Sequence, residues 1–406
     1  MDEWRSTTWG DLATLEYGKG LRGYQDVEGP CRVYGTNGPI GWHTEPLYHG
    51  PSVIVGRKGA YRGIHYAPKP FYVIDTAFYL KPKVSIDIRW AYYELLTHDI
   101  NGMDSGSAIP STSREAFYLL PVLLPPINKQ QEIAALLGAL DDKIDLNRRM
   151  NDTLEAIARA FFKDWFVDFG PTRAKAEGRP PYLAPELWAL FPEALDDADI
   201  PTGWDVRPVY EIASFINGAA YKNMHFSSNR DGFPVIRIAE LKSGVTLQTQ
   251  FTTTDLGERY KIQTGDILFS WSGNPDTSID VFIWDGGLAW LNQHIFRVRD
   301  NGNADRSFIY FQLKELKPIF AEIARNKQTT GLGHVTAQDM KELMVCDPSR
   351  NVADTYNMIA GPIFSRIMAN LLETRTLAQL RDLLLPKLMS GEIRLKDVEK
   401  AVEEHL

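Results

Sequence analysis

Between His49 and Ile74 the chain carries Arg57, Lys58, Arg62 and Lys69 and no Asp or Glu, interleaved with Tyr61, His65 and Tyr66. Guanidinium and ammonium groups in such a run can hold anions such as phosphate oxygens, or the paired acceptors on the edge of a guanine, while the rings offer flat faces for stacking. A solvated loop that happens to be basic would look the same. Two loops of small polar residues, Ser105-Gly106-Ser107-Ala108-Ile109-Pro110-Ser111-Thr112 and Thr329-Thr330-Gly331-Leu332-Gly333-His334-Val335-Thr336, align on Thr112 and Thr336. Glycine-containing backbone can bring N–H groups close to phosphate. Equally, Thr112 and Thr336 can cap the helix that follows each loop. Trp271 and Asn274, just after a strand-like Asp266 to Phe269, form a third polar and aromatic group, for which a structural turn is the competing account.

Other chemistry is missing. There is no G-x-x-x-x-G-K-[ST] phosphate loop. Arg179-Pro180-Pro181-Tyr182 resembles the Asn-Pro-Pro-aromatic tetrapeptide of DNA amino-methyltransferases but lacks the leading amide that would bond the target base. Glu240-Leu241-Lys242 and Glu315-Leu316-Lys317 have the carboxylate and lysine spacing of divalent-metal nucleases, yet neither has a partner Asp nearby, and both read as solvated faces. Cys31 and Cys346 are too far apart in sequence for a metal or redox motif and read as buried thiols. The chain is therefore expected to be non-catalytic on its own and to hold no metal. A net charge of −8 opposes simple polyanion binding, but five acids and no base fall between Glu186 and Ile200, away from the basic run. With 44% hydrophobic and 24% charged residues the chain should be globular. No apolar stretch reaches 18 residues and the N-terminus has no signal-peptide pattern, which predicts a cytoplasmic protein.

The elements that must position these groups occur twice. Trp4, Asp11, Leu12, Ala13 and Gly18 are answered 200 positions later by Trp204, Glu211, Ile212, Ala213 and Gly218. Ile144, Asn147 and Leu154 recur 223 positions later as Ile367, Asn370 and Leu377. Short apolar runs at Ser52 to Val55 and Phe71 to Ile74, then a helical Ile88 to Leu96, are followed in the second half by Pro234 to Ala239, Asp266 to Phe269 and a helical Phe308 to Arg325. The pattern predicts two α+β domains. After Pro125-Pro126, with Asn128 and Gln131 spaced as a capping box, a heptad begins. Ile133, Leu140, Asn147, Leu154 and Phe161 form one seam position, and Leu137, Ile144, Asn151, Ala158 and Trp165 the other. Ile363, Ile367, Asn370, Thr374, Leu377 and Leu384 repeat the pattern, so two long helices should pair, with Asn147 and Asn370 favouring one register. The predicted order is a first domain over 1–126, a helix over 127–169, a Pro-rich linker over 170–200, a second domain over 201–350, a helix over 351–395 and a tail over 396–406.

Leu124-Pro125-Pro126-Ile127-Asn128-Lys129-Gln130-Gln131-Glu132-Ile133-Ala134, continued by Phe161-Phe162-Lys163-Asp164-Trp165-Phe166-Val167-Asp168-Phe169, resembles the central region of the specificity subunit of type I restriction-modification enzymes. Leu380-Arg381-Asp382-Leu383-Leu384-Leu385-Pro386-Lys387-Leu388-Met389-Ser390-Gly391-Glu392-Ile393 is similar to that family's C-terminal region. The resemblance implies two target recognition domains on an antiparallel pair of helices, reading an asymmetric, split site in double-stranded DNA. It implies two methyltransferase (modification) subunits and a motor-nuclease (restriction) subunit as partners, which would supply S-adenosylmethionine, ATP and magnesium. The DNA-contacting candidates are then Arg57, Lys58, Arg62, Ser105, Ser107, Ser111, Trp271, Asn274, Thr329, Thr330 and His334. A stand-alone bipartite DNA-binding scaffold is the alternative, and genes for a methyltransferase and a helicase-nuclease beside this one would decide against it.

Overall fold

The computed structural model describes residues 4–103, 109–302, 304–328 and 332–394. Ser105, Ser107, Thr329 and Thr330 lie outside the described residues. The chain forms two compact units: residues up to 145 joined by those from 376 onward, and residues 146–375.

In the first unit Arg5–Thr8 pairs antiparallel with Pro121–Leu124. A four-stranded antiparallel sheet has the order Ala13–Tyr17, Ala77–Pro82, Ser52–Gly56, Ile64–Ala67. A three-stranded sheet places Cys31–Gly35 between Gly38–His43 (antiparallel) and Phe71–Val73 (parallel). Local sequence explains the placement. In Ala13–Tyr17, Ala13 and Leu15 are buried while Thr14 and Glu16 are half-buried, the alternation of an outer strand with one wet face. Every residue of the interior strand Ser52–Gly56 is buried. Helix Ile88–Leu95 is capped by Asp87, whose side chain accepts from the Trp90 amide, and it contributes Trp90, Ala91, Tyr93 and Leu95 to a core with Trp9, Val53, Phe78 and Phe117. Ile133, Leu137, Leu384 and Leu388 of the two long helices complete that core.

The second unit repeats the plan. Asp205–Pro208 pairs with Met344–Asp347, and a sheet of order Ser214–Asn217, Ile295–Arg299, Ile267–Ser270, Asp280–Ile283 matches the first unit's strand for strand. Phe233–Ile236 lies beside Ala289–Leu291 in parallel, as Cys31–Gly35 lies beside Phe71–Val73. The short strand Lys261–Ile262 is an addition to this sheet. The α+β class and the internal repeat are thus present in the fold. The repeated glycines have one physical reason. A Cβ on Gly18 would stand 2.0 Å from the Ile74 carbonyl oxygen, and one on Gly218 2.1 Å from that of Asn292. Only glycine lets the two backbones approach so closely. Gly18→Ala and Gly218→Ala should each lower stability by about 1–3 kcal/mol, the cost of overpacking. Urea denaturation of the two variants reads this, and a midpoint equal to that of the parent would contradict it.

The long helices are Ile127–Phe166 and Arg350–Met389. In the second unit Asn147 donates to Glu373 at 2.8 Å, Asn370 donates to the Asn151 side chain at 2.8 Å, and the Tyr356 hydroxyl donates to the Ala158 carbonyl at 3.1 Å. Numbers that rise along one helix meet numbers that fall along the other, so the pair is antiparallel. In the first unit Arg381 reaches Asp141 at 2.7 Å in the same sense. Asn147 and Asn370 are fully buried, but they do not bond each other; Glu373 and Asn151 are their partners. Ile133, Leu137, Ile144 and Ile367 are buried, Leu140, Leu154 and Ile363 pack at the edges of the cores, and Leu377 is half-buried.

Several local expectations are corrected. Phe161 is exposed and Phe162 is buried in its place. An α-helix drifts by about 20° per heptad against a 3.5-residue repeat, and after Ala158 the buried stripe steps four residues twice, to Phe162 and Phe166, where the helix leaves pure pairing for the domain core. The first long helix starts at Ile127, so Asn128 lies inside the first turn rather than at the cap, and the Pro126 carbonyl accepts from the Lys129 and Gln130 amides. The Pro-rich linker after Phe169 is ordered: it holds helices Gly170–Ala176 and Pro185–Trp188, and buried Phe191 packs 5.1 Å from Trp165. The helical stretch after Asp305 is two helices, Arg306–Glu315 and Lys317–Asn326, with Pro318 in the first turn of the second. Pro234 to Ala239 divides into a strand ending at Ile236 and a helix starting at Ile238. Glu240 is buried, where it accepts from the Arg237 amide at 3.1 Å and closes that helix's first turn; Glu315 accepts from Arg159 at 3.0 Å. Neither is a solvated face. Cys31 is buried and Cys346 half-buried.

Candidate nucleic-acid interface

The strand Ser52–Gly56 delivers Arg57 and Lys58 to the end of the first unit's sheet. The Arg57 and Lys58 amides both donate to the Thr76 carbonyl, the Arg57 carbonyl accepts from the Thr112 amide at 2.9 Å, and Lys58 bridges to Ser111. The backbone is therefore fixed on both sides. Arg57 lays its guanidinium 4.8 Å from the ring centre of Tyr17, and Arg114 lies 5.0 Å from the same ring. One Arg57 Nη1 hydrogen bond, 2.8 Å to the Asp75 carbonyl, holds the side chain. Tyr17 and Lys58 are exposed, and Tyr61, at 68% exposure, stands near the same turn. A ring flanked by two guanidiniums stiffens long side chains in advance of any ligand, which lowers the ordering cost of binding an anion or a base edge.

Arg62 is corrected. It is buried, and its guanidinium is spent on backbone: Nη1 donates to the Gly59 carbonyl at 2.8 Å and Nη2 to the Asn101 carbonyl at 2.6 Å. It shapes the turn that carries Arg57 and Lys58 and does not present its guanidinium to a ligand, contrary to expectation.

In the second unit the strand Ile267–Ser270 delivers Trp271 and Ser272 to the corresponding place. The Trp271 amide donates to the His294 carbonyl at 3.4 Å and the Trp271 carbonyl accepts from the Val335 amide at 2.8 Å. Ser272 pairs with His334 in register, and their side chains are 2.9 Å apart, Oγ to Nδ1. The Trp271 indole N–H donates to the Asn217 side-chain oxygen at 3.1 Å, and the indole lies near the His294 and His334 rings. Burial, and after it the proximity of His334, hold the His294 imidazole below its ordinary pKa. Asn274 is exposed, but its side-chain oxygen accepts from the Asp276 and Thr277 amides and closes its own turn.

These bonds fix an equivalence that linear alignment misses by one residue. Thr112 corresponds to Val335, and the two helix caps are Ser113 and Thr336, which accept from Ala116 and Asp339 amides. The Thr112 hydroxyl instead donates to the Gly56 carbonyl at 2.8 Å. By sheet register Tyr17 and Asn217 both face a phenylalanine, Phe78 or Phe296, across one strand pair. Tyr17, Arg114, Asn217, Ser272 and His294 thus join the site although sequence alone did not single them out. The signal for one pair was present, since residues 17 and 217 precede the repeated glycines.

The family model described as Type I restriction modification DNA specificity domain matches residues 1–156 and again 201–351, ranges that contain Arg57 and Lys58 in the first and Trp271 and His334 in the second. This chain belongs to that family. It is 25% identical over 327 residues to the Type I restriction enzyme MjaIX specificity subunit of Methanocaldococcus jannaschii, covering 78% of this chain and 72% of that protein. It is 24% identical over 347 residues to the HindI specificity subunit of Haemophilus influenzae, covering 74% of each. Among solved structures, the S subunit of a type I restriction-modification system from M. genitalium has the same fold, with a TM-score of 0.54 at 18% identity over 95% of this chain and 96% of that one.

Proposed function

We propose that this chain is the DNA specificity subunit of a type I restriction-modification complex and that it recognises an asymmetric bipartite site, one half through each unit. The single observation that carries the reading is the repeated sheet with unlike residues at its two equivalent ends, Arg57 and Lys58 in one and Trp271 and Ser272 in the other. A repeat of backbone with a change of side chains suits a protein that docks twice on a quasi-symmetric duplex and reads two different sequences. The long helices set the spacing between half-sites. The chain itself performs no bond-making step. Two methyltransferase subunits supply S-adenosylmethionine chemistry, and a motor-nuclease subunit supplies ATP and magnesium chemistry; their cationic surfaces also offset the −8 charge of this chain on the DNA phosphates. No helix among the described residues is long and apolar enough to cross a membrane.

Co-expression with a type I modification methyltransferase subunit from the same genome, in a host without adenine methylation, tests the reading. Sequencing should find methylated adenines at one motif made of two unlike halves separated by unspecified bases. Methylation at a contiguous or palindromic motif would refute it, as would none from a complex that assembles.

A further inference from the structure

We infer that Tyr17, Arg57, Lys58 and Ser111 in the first unit and Asn217, Trp271, Ser272 and His334 in the second are one base-reading subsite present twice, selecting a guanine in one half-site and an A·T pair in the other. The inference rests on the DNA-binding reading above and adds which chemistry each half-site must show. The equivalence comes from backbone hydrogen bonds and register, independent of side-chain type: residues 57 and 271 each bond the strand beside them and the loop returning from the far side, and residues 58 and 272 pair with 111 and 334. At this shared place the first unit offers cations. Among the described residues the Arg57 guanidinium makes one hydrogen bond, to the Asp75 carbonyl, and donors remain for the O6 and N7 acceptors of guanine. The Tyr17 ring beneath it fixes the fork. At the four equivalent positions the second unit carries no Lys or Arg, only Asn217, Trp271, Ser272 and His334. Ser272 is buried and spent on His334 at 2.9 Å, so it holds the loop rather than meeting a base, and the Asn217 oxygen receives the indole N–H; much of the polar capacity is turned inward. What remains is the flat apolar indole of Trp271, suited to the thymine methyl rather than to the donor-and-acceptor edge of G·C.

The test uses the full chain assembled with its methyltransferase partners and a library of random duplexes, from which bound sequences are read. The parent complex should select a guanine at a fixed position of one half-site. Arg57→Trp should lower that preference about tenfold or more, the scale of one bidentate contact, and leave the other half-site unchanged. Trp271→Arg should do the converse and introduce a guanine preference into the second half-site. Arg57→Lys, which keeps the charge and a donor, should retain part of the selection. The assignment is overturned if Arg57→Trp still selects the same guanine, or if both half-sites weaken together with no change in base preference, which would mark Arg57 as structural. A parent complex that selects no sequence at all would remove the DNA-binding reading itself, an outcome distinct from selection that ignores these positions.

Discussion

Trp165→Ala lowers the thermal unfolding midpoint of the chain by about 6–20 °C. Trp165 is fully buried, with ring neighbours Phe191 at 5.1 Å, Phe166 at 6.1 Å and Tyr356 at 6.2 Å. It thereby joins the first long helix, the Pro-rich segment and the second long helix within the second unit. Truncating a buried Trp removes transfer free energy and leaves a cavity that rigid aromatic neighbours cannot refill, a loss of about 3–5 kcal/mol. In a unit of this size each kcal/mol moves the midpoint by about 2–4 °C. Scanning calorimetry on parent and variant measures the shift, and an unmoved transition would show that the aromatic cluster is not what secures the helices to this core.

The second large effect is expected from a matched insertion of one heptad into each long helix, between Arg148 and Arg149 and between Leu371 and Leu372. The Asn147–Glu373 and Asn151–Asn370 contacts place these points opposite each other, so the seam stays in phase. Seven residues add about 10.5 Å of helix, close to three base pairs at about 3.4 Å each. Three base pairs also turn the duplex by about 100°, given 10–10.5 base pairs per turn. The native motif should then be methylated at least about a hundredfold less, because losing one half-site removes several base contacts worth about 1–3 kcal/mol each. Persistence of the native pattern would contradict the spacing role of the helices.

How much of this was legible in the sequence depends on which force sets each feature. The helices could be read because burying one stripe demands a period, and Ile133, Leu137 and Ile144 obey it. The repeat could be read at Gly18 and Gly218 because a backbone contact tolerates no other residue. What failed were features decided by tertiary partners. Arg62 looks like its neighbours Arg57 and Lys58 in sequence; only the carbonyls of Gly59 and Asn101 show that its N–H donors are already occupied. Thr112 and Ser113 are both competent caps, and the demand of the Gly56 carbonyl for a hydroxyl decides between them. Phe161 and Phe162 are equally apolar, and the packing of Tyr356 and Phe308 on Phe162 selects the buried one. In the candidate site, Tyr17 and Asn217 escaped notice because a strand register, not spacing along the chain, brings them to Arg57 and Trp271.

The first unit is closed by Leu384, Leu388 and Met389, residues near the far end of the chain. During synthesis, when domains ordinarily mature in order from the N-terminus at about 5–20 residues per second, this one inverts the sequence. The ribosome finishes residues 146–375 before it reaches Leu384, Leu388 and Met389, which the first unit needs. A chain truncated after residue 375 and released from the ribosome should therefore resist protease across its second unit while the first is still open to cleavage.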